Sequence, residues 1–193
     1  AELDGYASDI TRSFPVNGRF SGEQRAIYEL VLAAQKAAID QVRPGRHFNE
    51  PHDAAVRTLT EGLAALGLLQ GDVEELIKAE QHKPFYMHRT GHWLGMDVHD
   101  VGDYKTGEDW RIFEPGMVTT IEPGLYIPAG GKILDAHWAR LGVHLETELD
   151  ERWQRIGIRI EDDVLVTDDG HEILTAAVPK EVDEIEALMR ERR

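Results

Sequence analysis

The sequence predicts an α+β domain, with helices in the first half of the chain and antiparallel strands in most of the second. Two observations support this class. Apolar residues recur with a helical period between residues 21 and 81, and glycines, β-branched residues and alternating apolar positions dominate from residue 85 onward. The chain has 193 residues, of which 41% are apolar, so it is long and apolar enough to bury a core, and intrinsic disorder is not expected.

Three helices are predicted in the first half. Ser21 and Gln24 form a capping-box pattern ahead of an amphipathic stretch, so the first helix covers 21–42 and ends before a Pro-Gly pair. The second helix opens near Asn49 and ends at a glycine, over 49–67. A short third helix is expected over 72–81.

The remaining elements are mostly strands. Residues 5–14 read as a strand, and further strands are expected near 117–122, 124–127, 156–161 and 163–167. Residues 128–154 show no clear period and are expected to form a long loop or insertion. A last amphipathic helix is expected over 180–192.

Charge and composition exclude several classes of function. Acidic side chains outnumber basic ones, 36 to 21, for a formal net charge of -15, which disfavours nucleic acids and anionic membrane surfaces as partners. The lack of cysteine excludes disulfides, thiolate zinc sites and a cysteine nucleophile, so any metal must be held by carboxylates and imidazoles. The same lack fits a cytoplasmic location, and no apolar run is long enough for a membrane span.

Two carboxylates stand where a strand pattern can direct them into a cavity. In the alternating run 156–161, Arg159 and Glu161 share the face opposite the isoleucines, and Gly157 leaves that face uncrowded. Glu122 ends another strand, directly before a Pro-Gly turn. For either glutamate alone, a solvated charge at a strand end is the alternative.

Three of the nine histidines fall within twelve residues, at His88, His92 and His99. The spacing of the first two would suit one face of a helix, but Gly91 and Gly95 favour an irregular loop that approaches a ligand closely. Ordinary loop histidines are the alternative.

Asp9, His92, Glu122 and Glu161 together form a set of three carboxylates and one imidazole from four segments. Asp is disfavoured within a strand, so ligation would explain Asp9, with a turn as the alternative. Oxygen-rich ligation of this kind suits Mn²⁺, Co²⁺ or Zn²⁺, and carboxylates can bridge two ions about 3.5–4 Å apart. A two-metal hydrolase is therefore plausible from the residues alone.

Four blocks also resemble a known family. They lie in the family's order, at residues 5–12, 85–102, 114–126 and 157–163, and they are similar to aminopeptidase P of the M24 metallopeptidases. The resemblance implies the pita-bread (creatinase/aminopeptidase-like) fold, a curved antiparallel sheet flanked by helices. It also implies release of the N-terminal residue from peptides with proline at position two, by a hydroxide that bridges two metal ions, usually Mn²⁺.

The resemblance also assigns roles by position. Asp9, His92, Glu122 and Glu161 match metal ligands, and Glu122 also matches the residue that handles protons. The family's catalytic residues beside the metals match a further set: His88 and His99, which contact substrate or the tetrahedral intermediate, and Arg159, which holds an adjacent carboxylate.

One departure concerns the start of the chain. The family's first metal-ligating Asp would fall before Ala1, so residues 1–193 are expected to be the C-terminal part of the catalytic domain, with its N-terminal segment missing. Because one ligand is then absent, these residues alone are expected to hold at most one metal ion well. The expected partners are a peptide with an Xaa-Pro N-terminus and further copies in a homodimer or homotetramer. A prolidase, which cleaves Xaa-Pro dipeptides, and a metal-free peptide-binding module of the same fold are the alternatives.

Overall fold

The structure, a computed structural model, describes residues 1–129 and 149–191. Its helices are α1 (Gly22–Ile39), α2 (Glu50–Ala65), α3 (Val73–Lys78) and α4 (Val182–Glu191). Its strands are β1 (Glu2–Leu3), β2 (Tyr6–Ala7), β3 (Thr11–Arg12), β4 (Lys105–Thr106), β5 (Asp109–Trp110), β6 (Val118–Ile121), β7 (Gly124–Ile127), β8 (Ile156–Val166) and β9 (His171–Ile173).

Helix α1 begins at the predicted capping box. The Ser21 hydroxyl accepts a hydrogen bond from the Gln24 backbone N–H, and the Gln24 side chain accepts one from the Ser21 backbone N–H. One face of α1 is buried against α2 and β8, and its apolar positions are those of the predicted stripe: Ile27, Val31, Ala34 and Ala38. The helix therefore forms because it covers the sheet and the next helix at the same time.

Strand β8 is the centre of the main sheet, and its partners in the described part of the chain are all antiparallel. Along one edge it pairs with β7 and then β6, and along the other with β3 and then β9. In its first half the isoleucines are buried and the alternate positions face the other way, as the pattern predicts. From Glu161 to Val164 both faces are buried.

Several predicted boundaries were wrong. The two strands expected over 156–161 and 163–167 form the single strand β8, because β6 and β7 meet along one edge of it. The strand expected over 5–14 exists only as the two-residue strands β2 and β3, since the chain turns between them. Most of the expected loop over 128–154 lies outside the described residues, and 151–153 form a turn of 3₁₀ helix.

Shorter differences concern the other elements. The third and last helices are shorter than the predicted 72–81 and 180–192. The hairpin of β4 and β5 and the edge strand β9 were not predicted, because two or three residues carry too little periodicity. None of the helices in the described ranges has the length and apolar character needed to cross a bilayer.

Candidate metal centre

The register of the sheet brings three segments together around Glu161. On one side, Thr11 of β3 pairs with Glu161, and Asp9 stands two residues before Thr11. On the other side, the end of β6 and the start of β7 pair with the residues that flank Glu161. Glu122 lies between these two strands and therefore falls opposite Glu161.

The side chains of these segments form a cluster with His92. Ligand atoms of Asp9, His92 and Glu161 all lie within 4.8 Å of one another. His92 Nε2 is 3.6 Å from Asp9 Oδ2 and 3.5 Å from Glu122 Oε1. The structure thus brings together all four residues that the sequence proposed as ligands.

Backbone contacts hold His92 with Nε2 facing the carboxylates. Its Nδ1 donates a hydrogen bond to the carbonyl oxygen of Trp93 at 3.0 Å, so in the neutral ring Nε2 keeps a free lone pair. The His92 carbonyl oxygen accepts from the Thr120 backbone N–H at 3.0 Å. A Cβ atom at Gly91 would lie 1.9 Å from the Thr120 carbonyl oxygen, so only glycine allows this approach to β6.

The cluster is electrostatically crowded. Burial raises the pKa of Glu161 to about 7; a hydrogen bond from Thr11 opposes the rise, and the carboxylates of Glu122 and Asp9 add to it. Burial also raises the pKa of Glu122 above its usual range, and that of Asp163 to about 6. These carboxylates hold protons to higher pH than they would in water, as expected of carboxylates that are buried and lie close to one another.

A divalent cation fits this donor set. Three carboxylates and one imidazole offer hard oxygen ligands and one nitrogen. Atoms of Asp9, His92 and Glu161 are close enough to share an ion, and Glu122 lies 3.5 Å from His92 Nε2. A bound dication would favour the ionised carboxylates and would offset both the burial and the mutual repulsion that raise their pKa values. The residues present therefore fit the group that the resemblance implies.

A row of hydrogen bonds leads away from the cluster to His88. Arg159 Nη1 donates to Glu122 Oε2 at 3.2 Å, and Arg159 Nε donates to the Tyr126 hydroxyl at 2.9 Å. His88 Nδ1 donates to the Arg89 carbonyl oxygen at 2.8 Å, so His88 Nε2 accepts from the Tyr126 hydroxyl at 2.9 Å. His88 therefore lies at the far end of this row and outside the ligand cluster.

His99 lies beside the cluster instead. Its ring meets the His92 ring edge to face, with 4.2 Å between the centroids. His99 is exposed, so it can reach a molecule bound at the cluster. The two additional histidines that the sequence proposed thus occupy opposite ends of the candidate site.

Sequence reasoning missed Tyr126, the residue that joins Arg159 to His88. Its signal was weak, because it depends on the pairing of β7 with β8, where Tyr126 lies opposite Gly157. A Cβ atom at Gly124 would lie 2.6 Å from the Tyr126 hydroxyl, so the glycine leaves room for this group. Thr11, which donates to Glu161 Oε2 at 2.5 Å, was also missed.

Comparisons with known proteins identify the family of this chain. The family model described as metallopeptidase family M24 matches residues 1–168, which include every residue of the candidate site. The chain belongs to metallopeptidase family M24. All four proposed ligands of this M24 chain come from segments inside the matched range.

Three relatives of this M24 chain are named as aminopeptidases. It is 51% identical to the Xaa-Pro aminopeptidase of Haemophilus influenzae over 189 residues, which cover 97% of this chain and 40% of that protein. The solved structure of Pseudomonas aeruginosa aminopeptidase PepP is 58% identical, with a TM-score of 0.89 over 98% of this chain and 40% of that one. A zinc-substituted Escherichia coli aminopeptidase P in complex with product is 48% identical, with a TM-score of 0.85 over 98% of this chain and 39% of that one.

Two conclusions follow from these matches. The expected pita-bread fold is confirmed, since the similarity to aminopeptidase P structures extends over nearly all of the M24 chain. The chain spans about 40% of the length of the relatives it matches.

Proposed function

We propose that this M24 chain forms part of an Xaa-Pro aminopeptidase, which releases the N-terminal residue from peptides with proline at position two. The observation that carries the proposal is the cluster of Asp9, His92 and Glu161, whose ligand atoms lie within 4.8 Å, with Glu122 on its edge. The name Xaa-Pro aminopeptidase, which the relatives from Haemophilus influenzae and Escherichia coli carry, supports the same reaction and the same substrate class.

We propose that Asp9, His92, Glu122 and Glu161 are this chain's ligands in a centre of two divalent ions, which the full-length protein completes. Mn²⁺ is our first choice, with Co²⁺ and Zn²⁺ as alternatives, because the set is rich in oxygen and has a single imidazole. Bound there, the ions would supply Lewis-acid activation of water and of the scissile carbonyl. His92 is prepared for ligation, since its Nδ1 proton is already held by the Trp93 carbonyl oxygen.

The remaining side chains divide the work of binding and proton transfer. Glu122 is proposed to accept a proton and pass it to the leaving nitrogen, and burial raises its pKa toward the range that suits a base at neutral pH. Arg159 holds Glu122 in place through its 3.2 Å hydrogen bond. His99 is exposed beside the ligands and would donate a hydrogen bond to the developing oxyanion. His88 would contact the substrate through its ring, because both of its nitrogens are engaged.

The test is a substrate comparison on the protein in its full natural length. Xaa-Pro-Xaa, Xaa-Pro and Xaa-Ala-Xaa peptides are assayed after dialysis against EDTA and again after adding Mn²⁺, Co²⁺ or Zn²⁺. We expect metal-dependent cleavage of Xaa-Pro-Xaa and little cleavage of Xaa-Ala-Xaa. Glu122→Gln should lower kcat by at least about 10²-fold, because it removes the base.

Other outcomes would point elsewhere. Cleavage of the Xaa-Pro dipeptide alone would indicate a prolidase, and peptide binding without metal or cleavage would indicate a binding module. The cytoplasmic location and the dimer or tetramer stay predictions, which fractionation and light scattering can test.

A further inference from the structure

A set of three polar side chains joins helix α2 to the segment that precedes His92. Thr90 Oγ1 lies 2.9 Å from His52 Nδ1 and 2.5 Å from the Tyr86 hydroxyl oxygen. Thr90 and Tyr86 are almost completely buried, with 2% and 1% of their surface exposed, and His52 is half-buried. None of the three is proposed as a metal ligand, so the reaction as described above leaves them without a role.

The three groups satisfy one another's hydrogen bonds. Burial lowers the pKa of His52 to about 3, so its ring is neutral at neutral pH. The Thr90 hydroxyl has one proton and two lone pairs, so it can bond both partners at once, whichever nitrogen of His52 carries the proton. Thr90 has few rotamers, and a buried hydroxyl that loses its partner costs about 1–3 kcal/mol. The two contacts therefore hold the Thr90 side chain in one orientation.

The backbone of Thr90 is bonded to the proposed base. Its carbonyl oxygen accepts a hydrogen bond from the Glu122 backbone N–H at 2.7 Å. Two residues along, the His92 carbonyl oxygen accepts from the Thr120 backbone N–H at 3.0 Å, and the Thr120 hydroxyl accepts from the His92 backbone N–H at 3.1 Å. Thr90 thus lies where the segment that carries His92 is joined to the segment that carries Glu122.

Glu122 therefore has two separate supports. Arg159 Nη1 donates to the carboxylate at Oε2, at 3.2 Å, and orients the end of the side chain. The Thr90 carbonyl oxygen holds the backbone from which that side chain extends. Both matter for a base, because a misplacement of about 1 Å can lower a rate about 10²-fold.

We propose that His52, Tyr86 and Thr90 are positioning residues, which fix the backbone of Glu122 relative to His92 through the carbonyl oxygen of Thr90. The proposal rests on the proposed function, because it places these residues in service of the proton transfer assigned to Glu122. Their effect passes through Glu122 and not through contact with the peptide. Loss of the set should therefore lower kcat and leave KM nearly unchanged.

The first experiment measures kcat and KM for an Xaa-Pro-Xaa peptide with the full natural protein and Mn²⁺. Thr90→Val keeps the shape of the side chain and removes the hydroxyl, so it should lower kcat about tenfold and change KM less than about twofold. Thr90→Ser keeps the hydroxyl and should hold kcat within about threefold of the wild type. An increase in KM with an unchanged kcat would overturn the proposal.

Combined variants test whether the two partners act through Thr90. Tyr86→Phe and His52→Leu each remove one contact and should each lower kcat by a smaller factor than Thr90→Val. Added to Thr90→Val, either change should lower kcat further by less than about twofold, because the contact is already lost. Full multiplication of the separate factors would overturn the proposal. Tyr86→Phe and His52→Leu also supply the test if Thr90→Val does not fold.

A matched control separates positioning from general loosening of the fold. Thr60 lies on α2, is fully buried, and its hydroxyl donates to the Val56 carbonyl oxygen at 2.7 Å within the same helix. Thr60→Val removes a buried hydroxyl of the same kind and should leave kcat and KM unchanged. Equal losses of kcat in Thr60→Val and Thr90→Val would overturn the proposal.

Amide hydrogen exchange tests the position of Glu122 without an activity assay. In the metal-free full-length protein, Thr90→Val should speed deuterium uptake in the proteolytic fragment that contains Glu122, and Thr60→Val should not. Unchanged uptake in Thr90→Val would overturn the positioning role. A wild-type protein that cleaves no Xaa-Pro peptide would instead overturn the proposed function, and the exchange of Glu122 would still decide whether Thr90 fixes its backbone.

Discussion

Two neighbouring carboxylates on β8 have pKa values shifted in opposite directions. Glu161 and Asp162 follow one another in the chain and are almost completely buried, with 1% and 0% of their surface exposed. Because side chains alternate along a strand, Glu161 faces the candidate metal centre and Asp162 faces the other side of the sheet. Burial raises the pKa of Glu161 to about 7, whereas the pKa of Asp162 lies below its usual range.

The difference comes from the partners on each side. Burial also pushes the pKa of Asp162 upward, but hydrogen bonds from Lys180, Thr175 and Arg12 outweigh it. One oxygen of Asp162 accepts from Arg12 and Thr175, both at 2.6 Å, and the other from Lys180 at 2.6 Å and Gln35 at 2.9 Å. No lone pair of this carboxylate is left without a donor.

Glu161 has the opposite surroundings. Thr11 donates one hydrogen bond to it, while Asp9 and Glu122 bring further negative charge to the same face. Asp162 is therefore a structural charge that side chains of the same protein balance, whereas Glu161 is a charge that a bound cation would balance. Such imbalance is typical of functional sites, where local stability is sacrificed.

The largest expected effect comes from removing Asp162, the carboxylate whose charge is balanced by Arg12 and Lys180. Asp162→Ala should lower the free energy of unfolding by about 3–5 kcal/mol, because it leaves Arg12 and Lys180 partly buried without their shared anion. Urea unfolding measures the change. Asp183→Ala is the control, since Asp183 is exposed and its removal should cost about 1 kcal/mol or less. Equal losses for both variants would contradict the assigned role of Asp162.

The next largest effect is expected in the pH dependence of the free energy of unfolding of the metal-free protein. The folded-state pKa of Glu161 lies above its unfolded value, so between pH 4.5 and about 7 the folded state binds more protons than the unfolded state. Stability from this group is present below pH 4.5 and is lost as pH rises through 7, by up to about 3 kcal/mol. Asp163 acts in the same direction up to about pH 6.

Urea titrations in EDTA across pH 4.5–8 test this dependence. Saturating Mn²⁺ should flatten the curve, because metal binding favours the ionised carboxylates. Because burial lowers the pKa of His52 to about 3 and that of His82 to about 4, these histidines make stability rise with pH over part of the same range, so the contribution of Glu161 is measured as the difference between the wild type and Glu161→Gln. The same pH dependence in both proteins would show that the pKa of Glu161 is not raised.

Local patterns explain how much of this comparison the sequence could predict. The alternation of β8 was enough to place Arg159 and Glu161 on one face, and the capping box was enough to start α1. The sequence also assembled Asp9, His92, Glu122 and Glu161 as one set, because acids and imidazole at strand ends and glycine-flanked turns are unusual.

The sequence could not predict the contrast between the pKa values of Glu161 and Asp162. The donors to Asp162 come from Arg12, Gln35 and a segment after residue 170, and nothing local in the chain links them. The row through Tyr126 likewise depends on the register of β7 against β8. Long-range partners decide these charges, and partners of this kind leave no periodic signal.

A smaller effect on stability is expected when Glu161, the carboxylate at the candidate metal centre, is replaced. Glu161→Gln removes one negative charge, so the metal-free protein should gain about 1–2 kcal/mol of stability at pH 8. The same change should weaken Mn²⁺ binding at least tenfold, since an ionised ligand is lost. Calorimetry and urea unfolding measure the two effects, and Glu172→Gln, on the edge strand β9, is the control. A loss of both stability and metal affinity would argue against crowding.

The smallest effect tests the one hydrogen bond that Thr11 gives to Glu161. Thr11→Val removes this donor, so unfolding at pH 8 should require about 1 kcal/mol less, and Thr11→Ser should restore most of it. The pKa of Glu161 should rise further in Thr11→Val, because the hydrogen bond favours the charged form. Carboxyl-carbon NMR titration in EDTA follows this pKa directly. An unchanged Glu161 titration in Thr11→Val would mean that Thr11 supports the strand pairing of β3 rather than the charge of Glu161.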